Sequence, residues 1–190
     1  MNKLRKGSLS NTNMIYFTGV YMSETKINKK KEILGWVFTI LAAVAVFAVF
    51  MIFFQPGIVS GSSMEPNYFG GDRFFITRDW CCGDYEYEDV VCVDINGRVL
   101  IKRVIGLPGD TIEIKDGKVY RNNELVDESE YLSADVKTNT SIENFKIVVG
   151  EDEWFVLGDN RAVSVDSRSI GCVDNIIGKT WFIYRQSWFK

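Results

Sequence analysis

VLIKRVIGLPGDTIEIKDGKVYR, residues 99–121, contains three short runs of β-branched and aliphatic residues separated by turn residues. LPGD at 107–110 is one turn signal. DG at 116–117, between TIEIK and KVYR, is a strong signal for a two-residue β-hairpin loop. The stretch therefore predicts strands at 99–105, 111–115 and 118–121, with the last two joined as a hairpin.

Similar runs continue on both sides of this stretch. They lie at 74–77, 90–94, 146–149, 154–157 and 180–184, with Gly, Asn and Asp between them. No segment after residue 54 shows a helical period longer than three turns, and residues 122–144 are polar enough to predict a long loop or a small excursion from the sheets. We therefore expect a mainly β protein whose globular part is an all-β assembly of sheets or a barrel.

Closer to the N-terminus, residues 33–54 read ILGWVFTILAAVAVFAVFMIFF, 22 residues without a charge. At about 1.5 Å per residue they form roughly 33 Å of helix, enough to cross a hydrocarbon core of about 30 Å. A buried core helix is one alternative, but such helices rarely stay apolar on every side. A cleaved secretory signal is another, but its apolar core is shorter and a small-x-small site follows it. The segment predicts one retained transmembrane helix.

The charge differs on the two sides of this segment. Residues 1–32 carry seven basic and two acidic side chains, a net charge of +5, so the remaining 158 residues carry −8 of the total of −3. The positive-inside rule places residues 1–32 in the cytoplasm, as a polar tail expected to be disordered, and residues 55–190 outside, as the β domain. An acidic external domain argues against nucleic acid as a partner.

The sequence contains no histidine. That excludes a Ser-His-Asp triad, a Cys-His dyad and histidine-ligated metal sites. In a serine hydrolase the base would then be a lysine whose pKa falls from about 10.4 to about 8, which means disfavouring the charged form by roughly 3 kcal/mol. Burial among aliphatic side chains has this effect.

One lysine lies within an aliphatic strand. Alternation along residues 99–105 places Lys102 on the same face as Leu100 and Val104, which predicts a dry environment for its amine. A strand lysine whose ammonium reaches solvent is the other interpretation, and the run taken alone favours it.

Two further segments carry polar groups suited to catalysis. SGSSMEP at 60–66 is a turn of small residues, which lets a hydroxyl stand near backbone N–H groups, although such turns are common in loops. GDNRAVSVDSRSIG at 158–171 holds two acids, two arginines and three hydroxyls. Taken alone, it also fits a solvated loop with local ion pairs.

Together, the three segments resemble the signature boxes of bacterial type I signal peptidases. Those boxes read S-M-x-P after an anchor, K-R-x-x-G-L-P-G-D, and G-D-N-R-x-x-S-x-D-S-R-x-x-G. This sequence has SMEP at 63–66, KRVIGLPGD at 102–110 and the complete third box at 158–171, in the same order. The resemblance covers roughly residues 33–185, and the short interval between the second and third boxes is similar to the compact Gram-positive members.

The resemblance implies a role for several residues. Ser63 matches the nucleophile, whose own N–H donates to the oxyanion, Lys102 matches the general base, and Ser164 matches the hydroxyl that orients the lysine. Supporting charged residues are implied at Asp159, with Arg103 as its salt-bridge partner, and at Asp166 and Arg168. Side chains of the substrate pocket are expected at Met64, Leu100 and Ile101.

Two positions depart from the family pattern. Some members have a serine two residues before the nucleophile, and its hydroxyl completes the oxyanion hole; this sequence has Gly61 there. A backbone or water donor then substitutes, or the second donor is weaker. Asn67-Tyr68 stands where many members have Thr-Leu, which concerns pocket packing more than chemistry.

The implied activity is that of a serine endopeptidase that removes signal peptides from secretory preproteins after small-x-small motifs. It requires no cofactor or metal. The extended substrate is expected to pair beside the Lys102 strand, and the enzyme is expected to be a monomer at the outer face of the cytoplasmic membrane.

Other functions fit the sequence less well. Cytosolic Ser–Lys autoproteases of the SOS-repressor type carry DNA-binding helices in place of a membrane span, and endoplasmic-type signal peptidases use histidine as the base. A tethered β module with a decayed site would have at least one broken box, and none is broken here.

The four cysteines are Cys81, Cys82, Cys92 and Cys172. All fall in the expected external domain, where disulfides are permitted. Their spacing is unlike that of a zinc site, and the sequence leaves free thiols and one disulfide equally open.

Overall fold

The computed structural model describes residues 29–142 and 144–185. Its first element is the helix α1 (Lys29–Phe53), which has no buried residue. A helix that is apolar on all sides and exposed fits a membrane anchor and not the buried core helix considered as its alternative. Of the tail expected at 1–32, residues 1–28 lie outside the described residues, whereas 29–32 are helical.

In the described part of the chain, ten strands and two short helices follow. Their bounds are β1 (Phe54–Ile58), β2 (Arg73–Arg78), α2 (Asp79–Cys82), β3 (Val90–Ile95), β4 (Arg98–Gly106), β5 (Thr111–Lys115), β6 (Lys118–Arg121), β7 (Glu124–Leu125), β8 (Phe145–Val148), β9 (Phe155–Leu157), α3 (Ser167–Ile170) and β10 (Ile176–Tyr184). Six strands form one sheet in the order β1-β2-β10-β3-β4-β9, and four form a second in the order β7-β6-β5-β8. The expectation of a mainly β protein with one N-terminal apolar helix is confirmed.

The strand β1 corrects one sequence prediction. Phe54 is the last residue of the predicted membrane helix 33–54, but it pairs antiparallel with β2, as do Gln55, Pro56 and Gly57. Pro56 is tolerated because β1 is the edge strand of the sheet, where a missing N–H costs no ladder bond. A side chain at Gly57 would come within 2.5 Å of the Phe74 ring, so glycine lets that ring pack across the strand.

The core is divided between the two faces of the larger sheet, as the alternation along β3 shows. Val90 and Cys92 pack in a cluster with Met64 and Ile101. Val91 and Val93 pack on the opposite face, in a cluster that includes Val104 of β4, Val156 of β9 and Ile176 of β10. A third cluster joins β4 and β9 to the smaller sheet through Ile105, Ile112 and Phe155. The strand β4 therefore contributes to all three clusters, which fixes the position of every residue along it.

All four cysteines are free thiols in this structure. Cys92 is buried, and burial raises its pKa to about 12. Of the two possibilities that the sequence left open, the structure shows the free form.

Candidate active site

Ser63 and Lys102, which are 39 positions apart in the chain, meet in the fold. Lys102 lies on β4, and Ser63 lies in the turn-rich segment that follows β1. Lys102 Nζ lies 2.9 Å from Ser63 Oγ and 2.9 Å from the carbonyl oxygen of Ile101, and it can donate to both. The structure thus brings together the two residues that the resemblance implies as nucleophile and base.

The environment of Lys102 is dry. Its cross-strand neighbour on β3 is Val91, and only 1% of the lysine surface is exposed. Burial lowers the pKa of this amine to about 8, although Asp166 and Asp159 act in the opposite direction by stabilising the ammonium. The amine can therefore lose its proton near neutral pH, as a general base must.

The loop after β9 holds the serine segment through its backbone. Asn160 N–H donates to the carbonyl oxygen of Ser63 at 3.0 Å, and Asn160 Nδ2 donates to that of Ser62 at 3.1 Å. The approach is close because residue 158 is glycine: a Cβ there would lie 2.5 Å from Ser63 O and 2.2 Å from Ser164 Oγ. Gly158 and Asn160 both stand in the third box, but nothing in the sequence pattern alone indicates these backbone contacts.

Arg103 and Asp159, expected as a pair, form a two-bond ion pair. Arg103 Nε and Nη2 donate to the Asp159 carboxylate at 2.9 and 2.7 Å, and the two side chains are 11% and 0% exposed. The guanidinium also lies 4.1 Å from the centre of the Tyr131 ring. Asn67 Nδ2 donates to the same carboxylate at 2.8 Å, so a residue that the sequence related to pocket packing joins the serine segment to this pair.

Asp166 and Arg168 form the second buried ion pair. The Asp166 carboxylate accepts hydrogen bonds from Arg168 Nε at 2.8 Å and from Gly158 N–H at 3.0 Å. Burial alone would raise the pKa of Asp166, but the bonds from Arg168 and Gly158 outweigh it, so that the pKa is lowered. Among the described residues Lys102 Nζ bonds to Ser63 and Ile101 and not to Ser164, so the expected bond from Ser164 to the lysine is not formed here.

The signal peptidase family model, peptidase S26, matches residues 31–188. This chain belongs to that family. The chain is 34% identical over 174 residues to a signal peptidase I from Bacillus licheniformis, which covers 85% of this chain and 93% of that one. It is 38% identical over 160 residues to signal peptidase I P of Bacillus subtilis subsp. natto, covering 78% and 85% respectively. The resemblance drawn from the three boxes is confirmed, and the chain is a serine endopeptidase of the signal peptidase I type.

Among solved structures, a signal peptidase I from Enterococcus faecalis matches with a TM-score of 0.43 and 29% identity. The match covers 52% of this chain and 97% of that one.

The residues expected in the substrate pocket of this signal peptidase do not all lie together. Met64 and Ile101 are buried in one cluster, whereas Leu100 is half-buried against the cluster on the opposite face of the sheet. Leu100 and Ile101 are adjacent in a strand, so they point to opposite faces. Of the three, only Met64 and Ile101 therefore pack in a common cluster.

The strand β4 of the signal peptidase has one edge that is only partly paired. It pairs with β3 from Arg98 to Arg103, but with β9 only from Arg103 to Gly106. Within the described part of the chain, no strand pairs with the other edge of residues 98–102. The backbone edge of residues 98–102 on this side is therefore open, and Lys102 is its last residue.

Proposed function

We propose that this protein is a membrane-anchored signal peptidase that removes signal peptides from secretory preproteins, with Ser63 as nucleophile and Lys102 as general base. The observation that carries the proposal is the 2.9 Å contact between Lys102 Nζ and Ser63 Oγ at a buried amine whose pKa is lowered to about 8. Membership in the signal peptidase family supports the reaction, and the geometry of the two side chains supports their roles.

In the proposed mechanism the neutral amine of Lys102 accepts the hydroxyl proton of Ser63 while Oγ attacks the scissile carbonyl. The tetrahedral intermediate collapses to an acyl-enzyme as the lysine ammonium gives its proton to the leaving amine. Water then attacks the ester, with the same amine as base. The proton acceptor stays within hydrogen-bond distance of Oγ because Lys102 also donates to Ile101 O, which holds its long side chain in place.

The open edge of β4 is the proposed binding site for the signal peptide. An extended peptide that adds beside residues 98–102 gains backbone hydrogen bonds, and alternate side chains then face the enzyme. Met64 follows Ser63 in the chain and packs with Ile101 in one buried apolar cluster. A closely packed apolar core behind the nucleophile leaves room only for small side chains at alternate positions, in agreement with cleavage after small-x-small motifs.

The bilayer is the proposed partner of α1 and of the aromatic residues beside it. Phe53 at the end of the helix lies 5.3 Å from the Trp80 ring, and Phe54 lies 5.3 Å from Trp181. The two tryptophans are 61% and 68% exposed. Exposed tryptophan at the end of an apolar helix is typical of membrane–water interfaces. The proposal therefore places residues 1–32 in the cytoplasm, the uncharged part of α1 from Ile33 onward in the bilayer and residues 55–190 outside. We propose that the enzyme works as a monomer.

Cleavage of a preprotein by the detergent-solubilised enzyme tests the proposed function. Ser63→Ala and Lys102→Ala should each abolish cleavage, because the first removes the nucleophile and the second removes its base. Ser133→Ala and Lys118→Ala, which change exposed residues of the same types, serve as matched controls and should cleave at the wild-type rate. Substantial processing by either dyad variant would rule out the proposed mechanism.

A further inference from the structure

The peptide group between Ser62 and Ser63 is held by its carbonyl oxygen. Ser62 O accepts a hydrogen bond from Asn160 Nδ2 at 3.1 Å and a second from Glu65 N–H at 3.2 Å. On the other end of the same peptide group, the N–H of Ser63 donates to no described residue. One side of this peptide is therefore fixed, and the other is available to a ligand.

A trans peptide is planar, so its C=O and N–H point in opposite directions. Because Asn160 holds the carbonyl of Ser62, the N–H of Ser63 must point away from Asn160. The next carbonyl, Ser63 O, is also held, by the backbone N–H of Asn160 at 3.0 Å. The two bonds from Asn160 thus fix the orientation of the main chain on both sides of the Ser63 Cα atom.

We infer that Asn160 is a positioning residue that sets the direction of the Ser63 N–H, so that this group can stabilise the oxyanion formed during peptide cleavage. The inference rests on the proposed role of Ser63 as nucleophile. When Ser63 Oγ attacks a carbonyl, negative charge develops on the carbonyl oxygen, and a donor already aimed at that oxygen stabilises the transition state. If the peptide rotated, the carbonyl of Ser62 would replace the donor with an acceptor and would repel the developing charge.

Because residue 61 has no side chain, stabilisation of the oxyanion depends more strongly on the N–H of Ser63. Gly61 offers no hydroxyl two residues before the nucleophile. The Ser63 N–H must therefore supply a larger share of oxyanion stabilisation than it would beside a serine hydroxyl. Loss of one such donor lowers kcat by about 10²–10³. Since Glu65 N–H still holds Ser62 O in an Asn160 variant, we expect a smaller loss, about ten- to a hundredfold in kcat.

Steady-state kinetics of Asn160→Ala and Asn160→Asp test the inference. In both variants kcat should fall with little change in KM, because the side chain of Asn160 orients a donor and does not pair with the bound peptide. The fall should be larger in Asn160→Asp, since its carboxylate is nearly the same shape but repels Ser62 O. The apparent pKa of the pH–rate profile of Asn160→Ala should stay at the wild-type value, because the one hydrogen bond of the Asn160 side chain goes to Ser62 O and not to Lys102. In Asn160→Asp the new negative charge should raise that pKa, because it favours the ammonium form of Lys102.

A second readout separates orientation of the donor from general damage to the loop. A peptide boronic acid forms a tetrahedral, negatively charged adduct with a serine hydroxyl, and its affinity should fall in parallel with kcat. In the Ser63→Ala background, where no adduct forms, the affinity for an uncleaved preprotein peptide should be unchanged by Asn160→Ala. Asn122→Ala, which removes two hydrogen bonds at the start of β5 and none to Ser63 or Lys102, is the matched control and should lower the melting temperature without lowering kcat.

Three results would overturn the inference: unchanged kcat in both Asn160 variants, a loss confined to KM, or a loss of kcat with undiminished boronate affinity. If Asn160→Ala does not fold, Asn160→Asp, which conserves the shape of the side chain, decides the question. None of these results bears on the proposed role of Ser63 as nucleophile. That role fails only if Ser63→Ala still cleaves.

Discussion

At the scale of single residues, Lys102 illustrates how a fold changes the acidity of one side chain. Two carboxylates, Asp159 and Asp166, lie near enough to favour the ammonium, yet the pKa is lowered to about 8. Desolvation therefore outweighs two attractive charges. It does so because each carboxylate already pairs with an arginine, Arg103 or Arg168. The positive charge of that arginine offsets most of the carboxylate's attraction for the ammonium.

The pH dependence of catalysis should report this pKa. Only the neutral amine accepts a proton, so kcat/KM should rise with pH through an apparent pKa of about 8, below the ordinary lysine value of 10.5. Lys102→Arg should be inactive across the accessible range, because a guanidinium keeps its proton even when buried. Near-normal rates in Lys102→Arg would mean that residue 102 supplies only a positive charge and that another group takes the proton from Ser63.

The same pKa predicts a cost in stability. Below pH 8 the folded protein must bury an ammonium, a cost of about 3 kcal/mol for a shift of this size. Lys102→Met removes that cost but also removes two hydrogen bonds worth about 1 kcal/mol each. We therefore expect the free energy of unfolding at pH 7 to increase by about 1–2 kcal/mol in Lys102→Met, measured by urea denaturation.

The pH dependence of this increase in stability shows whether it comes from removal of the buried charge. Between pH 8 and 10.5 the unfolded lysine still holds a proton that the folded lysine has lost, so wild-type stability rises with pH in that window. The advantage of Lys102→Met should shrink over the same range. A gain that is independent of pH would show that packing, and not the buried charge, is responsible.

At the scale of elements, the order β3-β4-β9 explains why boxes distant in sequence share one site. The strand β9 pairs with β4 from Arg103 to Gly106, with Leu157 opposite Arg103. The chain leaves β9 at Gly158, next to Lys102, and so delivers Asp159 and Asn160 directly to the serine segment. The third box thus begins at the end of β9, and its functional residues lie in the loop that follows this strand.

The pair Arg103–Asp159 is the strongest polar link between these elements, and its disruption should be costly. Asp159→Ala leaves a guanidinium with only 11% of its side chain exposed and without its partner. Breaking a buried pair in this way costs about 3–5 kcal/mol. Glu113→Ala, which breaks a pair between β5 and β8 whose lysine is 57% exposed, should cost far less, because solvent screens an exposed pair.

Denaturation of both variants measures the difference. A double variant, Arg103→Leu with Asp159→Ala, should recover part of the loss, because the unpaired charge is gone. An Asp159→Ala protein no less stable than Glu113→Ala would show that the pair is not a structural link.

The strands were predictable from sequence where local pattern and packing agree. All eight expected runs coincide with observed strands, and the hairpin of β5 and β6 has the expected bounds. The strand β1 was missed because Pro56 and Gly57 are turn residues, and only pairing with β2 makes them extended. The short β7 was also missed, since Glu124 and Leu125 carry no β pattern. Both misses reflect tertiary pairing that overrides local preference.

The site was predictable only in part, for a physical reason. Residue types and spacing indicated Ser63, Lys102 and the Arg103–Asp159 pair through the resemblance to a family. Hydrogen bonds from Asn67 and Asn160 depend on which backbone atoms approach each other, and no pattern along the chain encodes that. The position of Ser164 Oγ likewise follows from packing around Gly158, where glycine admits a close approach.

At the scale of the whole molecule, the contrast between its two ends is one of charge. Residues 1–32 carry +5 and the remainder carries −8, with the uncharged part of α1 between them. Moving a folded acidic domain back across a bilayer is prohibitive, and basic residues near a span remain on the cytoplasmic side. The orientation of α1 in the membrane therefore decides on which side of the membrane the proposed active site lies.

Tags at the two ends of the chain answer that question. A tag before Met1 should be protected from protease in intact spheroplasts, and a tag after Lys190 should be cleaved, because the charges before α1 hold the N-terminus inside. Detergent lysis should expose both tags, which controls for tags that are intrinsically resistant. Reversing the charge bias, by replacing Lys29, Lys30 and Lys31 with Glu, should increase the fraction of chains with the opposite orientation. The wild type with a protected C-terminal tag would place Ser63 in the cytoplasm, away from translocated preproteins, and would contradict the proposed site of action.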